Sequence, residues 1–398
     1  MLEKTSFNQL SKRKRRYVLF GSGNIAKKTI DKIGVNNIDF IVDNSINLQG
    51  MSFEGFNVLH PDQIKKDHFV LICSTALREI SIQLKSLMLV PNQNYAASPI
   101  LNDLLAIQEL EELDEEFYFT SGSIPKDETL EGGGLYKCKV KGLTVNLEKI
   151  YQGPCYGAIQ KGNNIYFVDT DKGIHAYNDV DGVVHKCELP KGSRAHGISY
   201  NKSNANFYVT CSYLDGVLEV NSNTFEINKE FKLSNKIDVS GSPMHHCNDN
   251  YAQGNSLFVS MFSSTGQWKL DRFDGCIAEF DIETGERLPD VFSGLYMPHN
   301  ITIIDNSLHI LDSLPGHLRF NNLSVQGTFP AFTRGLTRNK GLYYIGQSKN
   351  RNYSRVIGVS NNISIDCGVI VFNPELKASR FLQFPNTIGE IHAVCFLT

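Results

Sequence analysis

From about residue 134 to the C-terminus, short strings rich in Tyr, Phe, Val and Ile recur, bounded by Gly, Asn and Asp. This repeat limits the possible folds more than any other feature of the chain. Its units open at "CYGAIQKGNNIYFVDT", "AHGISYNKSNANFYVTC", "CNDNYAQGNSLFVSMF", "PHNITIIDNSLHILDS", "TRGLTRNKGLYYIGQS" and "EIHAVCFLT". With Gly157, Gly197, Asp249, Asn300, Gly335 and Ile391 as anchors, the spacings are 40, 52, 51, 35 and 56 residues. Each unit holds a strand with a polar opening, a turn and a second strand, and several continue into an outer pair such as "GVLEVNSNTFEINKEFKL". Units of this length with four strands predict β-propeller blades, and six units predict six blades. The last unit stops after its first strand, so "GLYKCKVKGLTVNLEKIYQG" at 134–153 is expected to complete that blade and remove the open sheet edge.

In a propeller the innermost strand of each blade lines the central channel, so the residues that open these strands converge. Here they are Tyr156, His196, Asn248, His299, Arg334 and Glu390, with His392 on the same strand face as Glu390. Packing alone does not call for such a set, because buried imidazole, guanidinium and carboxylate groups must find partners. Three readings stay open. His196, Asn248, His299 and Glu390 suit one divalent metal. Arg334 with the histidines suits an anionic ligand, and Arg334 paired with Glu390 suits a structural plug. The first two make His196, His299, Arg334 and Glu390 the candidate catalytic groups, with Tyr156, Asn248 and His392 as ligand contacts. His245 and His246 are adjacent and point to opposite faces of a strand, so at most one shares the channel. At strand ends, Asp169, Asp171 and Asp312 read as turn formers, Tyr296 as a rim aromatic, and Lys349 with Arg351 as an anion clamp.

The first hundred residues follow a different grammar. "YVLFG", "NIAKKTIDKIG", "DFIVDN", "FNVLHP", "HFVLICS" and "ALREISIQLKSLM" alternate apolar runs with helical stretches, which predicts a small parallel sheet of Rossmann type over 1–104. Gly21 and Gly23 follow the first apolar run, where small residues let backbone approach a phosphate. Asp43 lies at the spacing from which a carboxylate reaches a ribose hydroxyl. Between the two regions, "NDLLAIQELEELDEEFYF" carries six carboxylates from Glu109 to Glu116 and is expected to be helical. "TSGSIPKDETLEGGG" follows as a linker, so that 105–133 connects a nucleotide-binding domain to a propeller over 134–398.

Composition excludes some classes. Net charge is −3, so no whole-chain field favours nucleic acid, and "KRKRR" at 12–16 reads as a solvated lead-in to the first strand. No stretch reaches the roughly 18 apolar residues of a membrane span. The nine cysteines are scattered without a CxxC pair, which fits a reducing, cytoplasmic compartment. No GxSxG, HExxH or Walker A motif is present.

Two resemblances add to this reading. From about residue 153 onward, "RAHGIS", "DGCIAEFD", "MPHN", "FTRGL", "GQSKNR", "DCGVIVF" and "EIHAV" occur in the order of a bacterial six-bladed propeller family of unknown function. The chain departs from that family at "GQWKL" around Trp268. The first region, through "VLFGSGNIAKK", "DFIVDN" and "MSFEGFNVLHPDQI", resembles the small domain that opens sugar-nucleotide acetyltransferases. That resemblance implies a nucleotide-sugar at Gly21, Gly23 and Asp43, and a role in bacterial surface-glycan synthesis. At about a hundred residues the region falls short of a complete dehydrogenase domain for NAD. The expectation is therefore a protein that binds or processes a nucleotide-activated sugar or glycan precursor. The alternatives are a channel-centred hydrolase, lyase or isomerase, and a propeller scaffold that docks a glycosyltransferase.

Overall fold

The computed structural model describes residues 2–13, 15–122, 132–237, 241, 243–349 and 363–397. The chain divides into two compact units, 1–112 and 113–398.

The first unit is a mixed sheet of six strands in the order Ser52–Phe53, Phe56–Leu59, Ile38–Val42, Tyr17–Phe20, Val70–Ile72, Tyr95–Ala97. All neighbours are parallel except the first pair. Alternation along the strands feeds two cores. Val18, Phe20, Val70 and Ile72 pack against Leu77, Ile80 and Leu84 of the helix Leu77–Ser86. Tyr17, Leu19 and Leu71 pack against Ala26, Ile30 and Ile33 of the helix Asn24–Ile33. A sheet covered on both faces needs such unbroken apolar runs, as "YVLF" and "VLI" supply. A helix over Asn102–Glu111 ends the unit.

The second unit is a propeller of six four-stranded sheets. Blades 1 to 5 have as their innermost strands Cys155–Lys161, Ala195–Asn201, Cys247–Gln253, Pro298–Ile304 and Phe332–Asn339. Blade 6 joins the two ends of the unit: Ala393–Cys395 is innermost, followed by Asp114–Ser121, Gly134–Lys141 and Thr144–Gln152. Apolar clusters between neighbouring blades hold the ring, such as Val168, Phe207 and Val209 between blades 1 and 2.

Blade 6 corrects one expectation. Residues 114–121, read from sequence as the end of an acidic helix within a connector, form a strand that pairs with both 134–141 and 393–395. Phe117, Tyr118 and Phe119 are fully buried there. Two of the carboxylates are absorbed by cross-strand and neighbouring lysines, Glu116 by Lys137 and Lys139 and Glu115 by Lys340. An aromatic run packed in a sheet outweighs the helical preference of "LDEE". Residues 123–131 of the expected linker lie outside the described residues.

Candidate functional site at the mouth of the propeller channel

The same irregularity opens the innermost strand of five blades. In blades 1 to 3, pairing skips from Cys155 to Ala158, from Ala195 to Ile198 and from Cys247 to Asn250; in blades 4 and 5 it skips between His299 and Ile301 and between Arg334 and Leu336. Each skip is a β-bulge, which re-aims a side chain out of the strand's regular alternation. The first residues of these bulges are Tyr156, His196, Asn248, His299 and Arg334, the set the sequence singled out. The second residues, Gly157, Gly197, Asp249, Asn300 and Gly335, form a tier where neighbouring blades come close. A Cβ on Gly157 would lie 2.6 Å from the Ile198 nitrogen, and one on Gly197 2.8 Å from the Asp249 Cα.

The upper tier is brought together as expected and is nearly dry, each residue being 0 to 8% exposed. The Tyr156 ring lies 4.1 Å from the His392 ring and 4.6 Å from that of His196. The His196 centroid is 5.2 Å from that of His392 and 6.1 Å from that of His299. His392 Nε2 stands 3.0 Å from Glu390 Oε2 and 3.5 Å from Arg334 Nη1, and Arg334 Nη1 is 3.6 Å from Glu390 Oε1. The Arg334–Glu390 pairing foreseen from sequence is therefore present, with an imidazole beside it. Arg334 also lies over the Phe332 ring at 4.7 Å.

His299 has a defined orientation. Its Nδ1 lies 3.0 Å from the Met297 carbonyl and 2.8 Å from Ser313 Oγ. A carbonyl only accepts, so Nδ1 carries the proton and Nε2 keeps a bare lone pair. That Nε2 is buried and has no hydrogen-bond partner among the described residues. Burial, reinforced by Arg334 and His392, pushes the His299 pKa well below its usual value. Burial and the neighbouring His392 and His299 do the same for His196. Both rings are neutral bases near pH 7. Asn248 donates through Nδ2 to the His246 carbonyl at 3.2 Å, and its buried Oδ1 has no donor among the described residues.

Other expectations fare differently. His196, Asn248, His299 and Glu390 do not gather as a metal set: among the described residues no three His, Cys, Asp or Glu side chains are grouped to hold an ion. Glu390, the carboxylate of that set, is taken up by Arg334 and His392. Lys349 donates to the Asn386 carbonyl at 2.6 Å, and Arg351, the other half of the expected clamp, lies outside the described residues. Asp169 serves a turn, accepting from the amides of Asp171 and Lys172, whereas Asp312 accepts from the Tyr296 amide sixteen residues away and pairs with Arg319. Tyr296 stacks on Phe273 at 5.3 Å.

In the first unit, Gly21 adopts φ +112° and a Cβ there would press on the Cys73 carbonyl at 2.8 Å, so glycine is required. Gly23 precedes the helix Asn24–Ile33, and a Cβ there would meet nothing within 4 Å. At Asp43 the structure shows a task that the sequence reading did not foresee. Its Oδ2 accepts from the Ser22 amide at 2.9 Å and hydroxyl at 2.8 Å, and its Oδ1 from the Ser45 amide, so it latches the glycine turn.

Sequence reading named His246 only as one of an adjacent pair and missed the second ring to which it belongs. Arg194, His246 and Met297 each stand two positions before an axial residue, in consecutive blades, and all three adopt left-handed backbone with φ of 48°, 54° and 53°. His246 packs on Phe262 at 4.5 Å and on Trp268 at 4.9 Å, and burial together with Arg194 and Arg334 lowers its pKa to about 3. His245, in contrast, turns away and contacts the Ser263 carbonyl through Nδ1. Asp249 and Asn300, noticed only as repeat anchors, bond to each other, and Asn300 Oδ1 accepts from the Gly335 amide. Burial raises the Asp249 carboxyl to about 7 against the bonds from Asn250 and Asn300. The available signal was a polar residue at the repeat anchor where other blades place glycine.

Residues 244–398 match the family model "Domain of unknown function (DUF4915)". The DUF4915 match takes in Asn248, His299, Arg334, Glu390 and His392, but not Tyr156 or His196. No curated protein matches the chain significantly. Among solved structures, the chain is similar to one from a nidogen/laminin complex, at 10% identity, with 70% of this chain and 96% of that chain covered and a TM-score of 0.50. It is also similar to a protein of unknown function from Bacteroides caccae, at 14% identity, with 70% and 98% covered and a TM-score of 0.46. At 10% identity the likeness to the nidogen/laminin structure shows a shared fold alone.

Proposed function

We propose that the propeller mouth is an acid–base site for a hydroxyl-bearing small molecule, with His299 as the base. The buried Nε2 lone pair of His299 carries this reading. A buried acceptor without a donor costs about 1–3 kcal/mol, and a ligand hydroxyl would satisfy it. Asn248 Oδ1 asks for a second donor. In this scheme the ligand hydroxyl gives its proton to His299 Nε2, and the Arg334 guanidinium stabilises the alkoxide that forms. His196 and Tyr156 bound the same space. Proton abstraction of this kind serves hydrolases, lyases and isomerases, and two adjacent acceptors fit a sugar-like polyol.

The test is a thermal-shift and calorimetric screen of sugars, sugar phosphates, sugar acids and nucleotide-sugars, using wild type and His299→Gln. A ligand at 100 times its Kd adds about 2.7 kcal/mol of stability. The expected result is a polyhydroxylated ligand that wild type converts and His299→Gln binds but does not convert. Unchanged conversion in His299→Gln removes the reading. No ligand at all would favour the scaffold that docks a glycosyltransferase.

A second reading rests on Gly23. The open space beside it, at the end of a parallel strand where strand order reverses, supports a Rossmann-like nucleotide or nucleotide-sugar site for surface-glycan synthesis. Gly23→Val is expected to abolish nucleotide-sugar binding measured by calorimetry. Burial pushes the thiols of Cys73, Cys138, Cys367 and Cys395 up to about 12, which supports a protein whose cysteines stay reduced, as in cytoplasm. Among the described residues no helix is long and apolar enough to cross a membrane.

A further inference from the structure

Beside the mouth, a cavity of about 660 Å³ opens between blades 1 and 2. Thr170, Asp171 and Glu188 line it from blade 1, Lys191 and Arg194 from the connecting segment, and Tyr213 from blade 2. Arg194 is its link to the mouth. The guanidinium interacts with the hydroxyls of Tyr156 and Tyr213, donating to the latter from Nη1 at 3.2 Å, and lies 5.0 Å from the centre of the Tyr213 ring. No carboxylate among the described residues pairs with it. Its backbone is left-handed at φ 48°, a conformation that a residue with a Cβ keeps only at a cost and that concentrates at functional sites. Thr170 adds a second, independent sign. Its Oγ1 is buried in the cavity lining without a hydrogen-bond partner among the described residues. Tyr213 is 52% exposed at the cavity lining.

We infer that this cavity holds the phosphate of a phosphorylated polyhydroxy ligand, with Arg194 as the principal anchor. A guanidinium fork, an ammonium and two hydroxyls supply more donors than a flat carboxylate can use, and a tetrahedral phosphate has oxygens for all of them. The carboxylates Asp171 and Glu188 on the blade 1 wall accept from ligand hydroxyls, and the Tyr213 ring offers a face to the ligand's carbon skeleton. The inference builds on the acid–base reading of the mouth, because Arg194 reaches Tyr156 and so places the ligand's reactive part near His299.

Calorimetric titration with inorganic phosphate, acetate, glucose and glucose 6-phosphate tests it without requiring turnover. Wild type, His299→Gln and Gly23→Val are expected to bind phosphate saturably and glucose 6-phosphate at least tenfold more tightly, with no saturable binding of acetate or glucose. Arg194→Gln is expected to lose at least tenfold in both phosphate affinities. Arg194→Gly, which also relieves the left-handed strain, is expected to show the same loss with a Tm equal to or above that of wild type. The inference is overturned by absent phosphate binding in wild type, by acetate binding as well as phosphate, or by glucose 6-phosphate binding no tighter than phosphate. It is equally overturned by wild-type affinity in Arg194→Gln, by loss of binding in Gly23→Val, or by an Arg194→Gly Tm below wild type. Phosphate binding that survives while His299→Gln still converts ligand would refute the acid–base reading alone.

Discussion

At the scale of single residues, the mouth is built from groups whose charge is controlled by burial. His299 and His196 are held neutral, so acidification must protonate them in the unfolded chain before the folded one. The sign follows: with the folded pKa below the unfolded value of about 6.5, each ring costs stability as pH falls below 6.5, by up to about 1.4 kcal/mol per pH unit, and contributes nothing above it. The stability gap between wild type and His299→Gln should therefore narrow as pH drops from 6.5 toward 4.5. Urea denaturation at stepped pH measures this, and a constant gap would contradict a neutral His299. Arg334 and Glu390 make the second residue-scale case. Removing one member of a buried pair leaves the other uncompensated, at a cost of about 3–5 kcal/mol. Arg334→Met should lose about that much, and adding Glu390→Gln should recover a good part of it. Strict additivity in the cycle would show that the two are uncoupled.

At the scale of elements, the bulge is the device that turns strands into a site. It aims one side chain at the axis and leaves the next position for close contact between blades. Gly197 shows the constraint, since its Cβ would fall 2.3 Å from Asp249 Oδ1 and 2.8 Å from the Asp249 Cα. Gly197→Ala should cost about 1–3 kcal/mol or more, as overpacking does, and should weaken ligand binding at the mouth by shifting Asn248. Gly254→Ala is the control: its turn has φ +59° with nothing within 4 Å, so only backbone strain of roughly 1–2 kcal/mol applies and binding should hold. Equal losses of binding in the two variants, read by calorimetry against chemical denaturation, would deny the bulge its role.

At the scale of the whole molecule, closure of the ring depends on the strand Asp114–Ser121. It pairs at eight positions with 134–141 and at three with 393–395, and without it both neighbours become open edges. A fragment 113–398 should melt cooperatively with near-ultraviolet circular dichroism of packed aromatic rings. A fragment 134–398, which starts where the repeat first becomes visible in the sequence, should lack that signal and aggregate. Similar melting of the two would show that blade 6 does not need its second strand.

The sequence by itself determined the propeller, the number of its blades and the residues at its axis. A repeat interval with polar residues at fixed positions is written in the chain order, and the fold only brings those positions round to one point. Tyr156, His196, Asn248, His299 and Arg334 were legible for that reason. The tertiary structure alone decided what each can do. The free lone pair of His299 depends on the Met297 carbonyl and Ser313, and Asp43 closes on Ser22 because the first turn curls back over the second strand. The strand at 114–121 has an acidic start that reads as helix, and only burial of its three aromatics between two distant segments settles its form. Arg194 went unnoticed, and His246 could not be told apart from its neighbour His245, because left-handed backbone leaves no mark on residue type. Contacts between residues far apart in the chain set orientation, burial and charge state, and no local pattern encodes them.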